Sequence, residues 1–203
     1  GGEYYAELLA EKGITYLGSF HNGFRQLTNS KHPVTKPEDL KNLKIRVPGS
    51  AVYMNVFKAL GASPTAMSWS EVFTAIQQGT IDGQENGCSV TKSAKMDEIQ
   101  DYMTIWNYSY ESDLFVANTK IWESLEENTR QLLQECATEA CEWGRDRLEA
   151  EEDQLIQGLQ DAGVQVDILT EEQLAAFKEA VADVSAELKA EYGEEACAAF
   201  GIE

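Results

Sequence analysis

The arginine in the stretch "LKIRVPG" (43–49) is the residue best suited to binding chemistry in this sequence. Apolar residues alternate there with Lys44 and Arg46, which predicts a short strand that ends at Pro48. In open α/β sheets, ligands bind at the carboxyl ends of the strands, and a guanidinium can bind a carboxylate through two parallel hydrogen bonds. An arginine paired with an acidic surface side chain would give the same pattern, so position alone leaves both interpretations open.

Four further residues are candidates for the same site. Arg25, in "NGFRQLT", is either a second ligand-binding cation or a solvated arginine at a sheet edge. Glu85 and Asn86, in "DGQEN", follow a predicted short strand, and an Asn amide can both donate and accept hydrogen bonds, although Asn is also common in turns. Trp69, between two serines at a predicted helix start, is either a ligand-contacting wall or a hydrophobic staple.

Motifs of catalysis and of metal binding are absent from the sequence. It contains no G-x-S-x-G, H-E-x-x-H or P-loop motif, and its two histidines offer little general-base capacity. We therefore predict that the protein is not an enzyme and that it uses no metal or other cofactor. An enzyme acting on a carboxylate is kept as a third hypothesis, behind the two binding functions described below. The four cysteines form no C-x-x-C pair, so free thiols are favoured and a long-range disulfide stays open (Cys88, Cys136, Cys141 and Cys197).

The charge of the chain limits its partners. The 203 residues include 35 acidic and 16 basic side chains, for a formal net charge of −19. Such a surface argues against nucleic acid as a partner and disfavours anionic lipid, so we predict no nucleic-acid partner. A small anion is not excluded, because a few cations in a cleft can reverse the local field.

Helix signals lie directly after the strand of Arg46. The segment 50–61 has Ser50 as a helix N-cap, and 68–79 begins with a capping box in which Ser68 is followed by Glu71. Each helix is closed by a glycine that suits the left-handed position after a helix. The strand end and two helix starts are therefore expected to position the candidate residues.

The second half of the chain alternates between strand and helix patterns. Segment 103–118 predicts one or two strands, and 122–163 predicts a helix on the order of 57 Å long. A strand "VQVDI" and a last helix from Thr170 to about Tyr192 follow. This alternation predicts the α/β class, and the long helix is expected to bridge two domains.

The segment 37–86 resembles the solute-binding proteins of tripartite ATP-independent periplasmic (TRAP) transporters. It contains the family's K-[IL]-R-V-P strand, the helix end F-K-x-L-G-A-x-P, the S-E-V-[YF] helix and D-G-Q-E-N, with Asn42 and Ile76 as mild departures. The resemblance implies a periplasmic-binding-protein-like two-lobed fold with a long helix spanning both lobes and an incomplete first lobe. The expected domains are the remainder of lobe I plus the long helix (1–23 and 112–151), lobe II with the arginines (24–111 and 152–180) and the C-terminal helix end (181–203).

The resemblance also implies a function. Members capture a small organic acid, such as a uronate or a C4-dicarboxylate, by an arginine salt bridge and hinge closure, and deliver it to a membrane permease. The carboxylate-binding arginine falls on Arg46, a second arginine on Arg25, the site asparagine on Asn86 and an aromatic position on Trp69. Gly49 lacks a side chain that is polar in some relatives.

The implied location is the periplasm, or an extracytoplasmic, lipid-tethered state, after removal of a signal peptide. The alternative is a periplasmic domain that senses a ligand and then contacts a signalling receptor. Only the identity of the partner protein would distinguish this function from transport. Members carry a further N-terminal segment that forms most of the first lobe. We expect the present chain to start after that segment and to bind more weakly than a full-length protein, which would be a monomer.

Overall fold

The computed structural model describes residues 1–202, which form helices and strands in alternation. The strands are β1 (Ile14–Asn29), β2 (Lys44–Val47), β3 (Ser63–Ala66), β4 (Gly83–Asn86), β5 (Tyr102–Asn118) and β6 (Gln165–Ile168). The helices are α1 (Gly2–Ala10), α2 (Ala51–Ala59), α3 (Trp69–Gln77), α4 (Cys88–Ser93), α5 (Thr119–Ser124), α6 (Glu127–Asp161), α7 (Glu171–Ala180) and α8 (Ala182–Ala199). Short 3-10 helices span Pro37–Leu40 and Met96–Glu98. The predicted α/β class is confirmed.

The strands form one sheet in the order β3-β2-β4-β1-β5-β6. β2 runs parallel to β3 and to β4, whereas β1 runs antiparallel to β4, with Gln26 paired to Asn86. The carboxyl ends of β2 and β4 therefore lie at the same edge of the sheet. Since β1 runs the other way, Arg25 lies at that edge too.

The chain divides into two compact units. One consists of 1–23, 111–151 and 192–203, and the other of 24–110 and 152–191. Four elements contribute residues to both units, namely β1, β5, α6 and α8. The lobe boundaries expected from the sequence stay a prediction.

The second unit contains the main apolar core. Side chains of β1, β2, α2 and α7 pack together in one cluster. Side chains of α3 pack with Ile81 and Met96 in a separate cluster. The first unit leaves more large apolar side chains exposed, among them Ile121, Leu132 and Trp143.

The predicted helix signals around the site are confirmed. Ser50 accepts a hydrogen bond from the Val52 backbone N–H at 3.3 Å, and Gly61 takes a left-handed φ of 83° after α2. The Glu71 carboxylate accepts from the Ser68 backbone N–H at 3.3 Å, which closes the capping box of α3. Local sequence therefore determines where both helices begin.

Two helices predicted as continuous are interrupted. The segment 122–163 is divided because Leu125 has an extended ψ of 151°, so that α5 ends at Ser124 and α6 begins at Glu127. The last predicted helix is divided at Val181, whose φ of −109° and ψ of 9° are not helical. Gly193, with a φ of 82°, then interrupts α8 just beyond the predicted end. Within residues 1–202, no helix is both long enough and apolar enough to span a membrane.

All four cysteines are free thiols, and their environments predict different reactivity. Burial, with a smaller effect from the nearby Glu152 charge, raises the pKa of Cys88 to about 12, whereas Cys136 is exposed. Because the thiolate is the reactive form, Cys136 should react rapidly with a disulfide reagent at pH 8 and Cys88 only after unfolding. Titration of the native and the denatured protein tests this, with Cys136→Ser as control for the fast phase. Native labelling of Cys88 at the rate of Cys136 would contradict it.

Candidate functional site

The candidate site lies at the edge of the sheet where β2 and β4 end. We call this region, defined by Arg46, Asn86 and Arg25, the carboxyl edge. Arg46 is the penultimate residue of β2, and Asn86 is the last residue of β4. Arg25 precedes Gln26, the β1 partner of Asn86. In α/β sheets this type of edge is where ligands bind.

Arg46 is a buried cation held in a defined orientation. Its side chain lies on the face opposite to Ile45 and Val47, which pack in the core, and only 6% of the residue is exposed. Its Nε donates to the Met67 backbone carbonyl at 2.9 Å. Its guanidinium carbon lies 5.4 Å from the centre of the Trp69 ring, within range of a cation–π interaction. The turn between β3 and α3 thus holds the guanidinium in place.

Arg25 and Glu85 form a buried ion pair, with 2% and 0% of each residue exposed. Arg25 Nε donates to Glu85 Oε2 at 2.5 Å. Arg25 Nη2 donates to Glu85 Oε1 and to the Glu85 backbone carbonyl, each at 2.9 Å. This geometry makes Glu85 an orienting partner of Arg25.

Tyr108 on β5 completes the network around Glu85. Its hydroxyl donates to Glu85 Oε2 at 2.5 Å, the oxygen that also accepts from Arg25. The ring of Tyr53 on α2 lies 5.3 Å from the Arg25 guanidinium carbon. A charged pair is therefore enclosed by aromatic rings.

The protonation states of this network follow from burial. Burial raises the pKa of the Glu85 carboxyl, while the bonds from Arg25 and Tyr108 and the charge of Arg46 act in the opposite direction. Burial also raises the pKa of Tyr108 well above its ordinary value, and the Glu85 charge adds to that shift. Tyr108 consequently stays a neutral hydroxyl donor at physiological pH.

The two arginines approach the carboxyl edge from opposite faces of the sheet. Arg46 is in register with Gln84, so these two side chains share one face of the sheet. Glu85, the next residue along β4, points to the other face, where it contacts Arg25. Contacts agree with this register, since Arg25 lies over Tyr53 of α2 and Arg46 over Trp69 of α3. A ligand contacting both would have to lie beyond the strand ends.

Asn86 lies between the arginines along the edge. It is 7% exposed, and its Oδ1 accepts a hydrogen bond from the Gly87 backbone N–H at 3.0 Å. Its side-chain nitrogen carries two N–H donors, which suit an oxygen-rich ligand.

The five predicted residues lie close together in the structure, as two contacting pairs with Asn86 between them. Arg25 contacts Glu85, Arg46 contacts Trp69, and Asn86 ends the strand between them. Their roles in ligand binding stay predictions. Sequence reasoning missed three contributors to this geometry, namely Tyr108, Tyr53 and the Met67 carbonyl.

The part of the chain described here, 1–202, contains no group of three His, Cys, Asp or Glu side chains able to hold a metal ion.

Comparison with curated proteins gives relatives that are binding proteins. The chain is 36% identical over 173 residues to the 2,3-diketo-L-gulonate-binding periplasmic protein YiaO of Escherichia coli, covering 85% of this chain and 52% of the relative. It is 33% identical over 199 residues to the C4-dicarboxylate-binding periplasmic protein DctP of Rhodobacter capsulatus, covering 98% of this chain and 60% of the relative. The chain thus spans between half and two thirds of the length of these relatives.

A solved structure shares the fold. A TRAP periplasmic solute-binding protein from Ralstonia eutropha H16, with bound (S)-2-acetolactate, superposes with a TM-score of 0.90 at 36% sequence identity, covering 95% of this chain and 63% of that protein. The family profile described as bacterial extracellular solute-binding protein, family 7 (DctP) matches residues 1–191. The predicted resemblance is confirmed, and the chain belongs to this family, which includes TRAP periplasmic solute-binding proteins.

Proposed function

We propose that this chain captures a small organic acid outside the cytoplasm, in the periplasm or tethered there by lipid, and delivers it to the membrane permease subunits of a TRAP transporter. Family membership supports the transport role, and the relatives' names include a sugar acid derivative and a C4-dicarboxylate as ligands. A uronate or a C4-dicarboxylate is accordingly the proposed type of solute. The ligand is bound and released unchanged, without a cofactor.

The burial and fixed orientation of Arg46 at the carboxyl edge carry this proposal. A guanidinium has five N–H donors, so the bond from Nε to the Met67 carbonyl is compatible with a second, bidentate interaction with a carboxylate. The Trp69 ring, 5.4 Å from the guanidinium carbon, covers one side of the guanidinium and limits the directions from which a carboxylate can approach. We therefore assign the principal ligand contact to Arg46.

The neighbouring polar groups are given supporting roles. Asn86 can donate to a ligand oxygen at the end of β4. Arg25 approaches from the other face and is oriented by Glu85, so we propose a hydrogen-bonding role for Arg25 and an indirect one for Glu85. Hinge closure around the solute is the proposed step by which the membrane subunits recognise the loaded protein.

A thermal-shift comparison of acids with their uncharged counterparts tests the function. A ligand at 100 times its Kd stabilises the folded state by about 2.7 kcal/mol. That should raise the Tm by about 5–11 °C for a chain of this size. We expect such a shift with at least one acid from a panel of uronates, aldonates, keto acids and C4-dicarboxylates.

The controls separate carboxylate recognition from general effects. Galacturonate is paired with galactose, and succinate with succinamide, because each pair differs mainly in charge. Equal shifts for both members of the effective pair, or no shift with any acid, would contradict the proposal.

A further inference from the structure

We infer that Tyr108 is a positioning residue for ligand binding: its hydroxyl orients Glu85, and Glu85 orients Arg25 at the carboxyl edge. This inference rests on the proposed function of the same site. Tyr108 does not need to contact the ligand, since its effect passes through two buried charged groups.

The hydrogen bonds define the order of this arrangement. Glu85 Oε2 accepts from both the Tyr108 hydroxyl and Arg25 Nε, each at 2.5 Å. Glu85 Oε1 is bonded to Arg25 Nη2 at 2.9 Å, so both carboxylate oxygens have defined partners. Rotation of the carboxylate would break the bonds to Arg25 and Tyr108 together. The Tyr108 hydroxyl therefore restricts the orientation of the guanidinium beyond it.

The aromatic neighbours keep the Tyr108 ring in place. Its centre lies 4.8 Å from that of Trp106, 5.6 Å from that of Phe57 and 6.4 Å from that of Tyr53. Phe57 is fully buried, and its ring is nearly perpendicular to that of Tyr108, at 87°. Because the ring is packed by β5 and α2, the hydroxyl is placed by rigid elements, as a positioning group requires.

The charged and titratable groups that act on Glu85 predict a pH signature. Arg25 from β1 and Tyr108 from β5 form hydrogen bonds with it, and Arg46 from β2 acts through its charge from the other face of the sheet. Tyr53 on α2 lies beyond Arg25. The Tyr108 bond lowers the pKa of Glu85. Without it, Glu85 would take up a proton at a higher pH, and neutral Glu85 would no longer orient Arg25 as an ion pair. As the pH is lowered, a protein without this bond should therefore lose binding at a higher pH than the unmodified chain does.

The substitution Tyr108→Phe tests the inference, because it removes the hydroxyl and keeps the ring. We expect about a tenfold loss of affinity for the acid found in the thermal-shift screen, in the range expected for a hydrogen bond to a charged group. We also expect the acidic limb of the affinity–pH profile to move to higher pH. Tyr102→Phe, on the same strand, is the matched control and should leave both quantities unchanged. Protonation of the ligand affects the profiles of all variants equally, because the same acid is used throughout.

A second replacement keeps the inference testable if the phenylalanine variant does not fold. Site-specific 3-fluorotyrosine at position 108 retains the hydroxyl and makes it a stronger donor, so the acidic limb should move to lower pH. Either expected shift supports the positioning role. Unchanged profiles, or a loss of affinity that only follows a loss of stability, would overturn it while the proposed function stands. If the unmodified chain binds none of the acids, the proposed function is overturned as well.

Discussion

Replacing Arg46 by lysine is expected to weaken binding of the organic acid by roughly 10-fold to 150-fold. Losing one hydrogen bond to a charged group costs about 1.5–3 kcal/mol. Lysine keeps the charge but is a point donor, so it cannot bind both carboxylate oxygens in parallel or make the same contact with the Trp69 ring. It also cannot reproduce the rigid bond from Nε to the Met67 carbonyl.

Calorimetric titration measures this loss, and the chain offers a matched control. Arg145→Lys makes the same chemical change on α6, where the Arg145 side chain is half exposed and pairs with the adjacent Asp146. The control should bind with the affinity of the unmodified chain. An unchanged affinity in Arg46→Lys, measured on a variant with an unchanged Tm, would remove Arg46 from its assigned role.

The surroundings of Arg46 could be predicted from sequence because their signals are local. Alternation of apolar residues predicts β2, and Ser50 and Ser68 mark the starts of α2 and α3 within a few residues. The predicted orientation of Arg46, away from Ile45 and Val47, follows from the same alternation. Each of these features depends on neighbours along the chain.

The partners of the site residues could not be predicted because they depend on register between distant segments. Glu85 contacts Arg25 across 60 positions and Tyr108 across 23. No local pattern identifies Arg25 and Tyr108 as the partners of Glu85. Strand β3 was also missed, because Pro64 weakens its strand signal and is tolerated at the edge of the sheet.

The substitution Glu85→Ala is expected to destabilise the fold by about 3–5 kcal/mol. It leaves the buried Arg25 cation without its carboxylate partner, and an uncompensated buried charge is among the most costly defects in a protein interior. It also leaves the Tyr108 hydroxyl without its acceptor. For a chain of about 200 residues, this corresponds to a drop in Tm of roughly 6–20 °C. Chemical denaturation, supported by calorimetry, measures the effect.

Two further variants attribute the loss to the buried charge. Glu127→Ala breaks an ion pair with Arg130 on the surface, where 79% of the Glu127 side chain is exposed, and should cost less than about 1 kcal/mol. The double substitution of Glu85→Leu with Arg25→Met removes both charges and should recover much of the stability lost in Glu85→Ala. A Glu85→Ala protein as stable as Glu127→Ala would show that Arg25 finds another compensating environment, and the orientation of Arg25 could then not depend on Glu85. Recovery of stability in the double variant without recovery of binding would instead indicate that the pair is retained for ligand recognition rather than for folding.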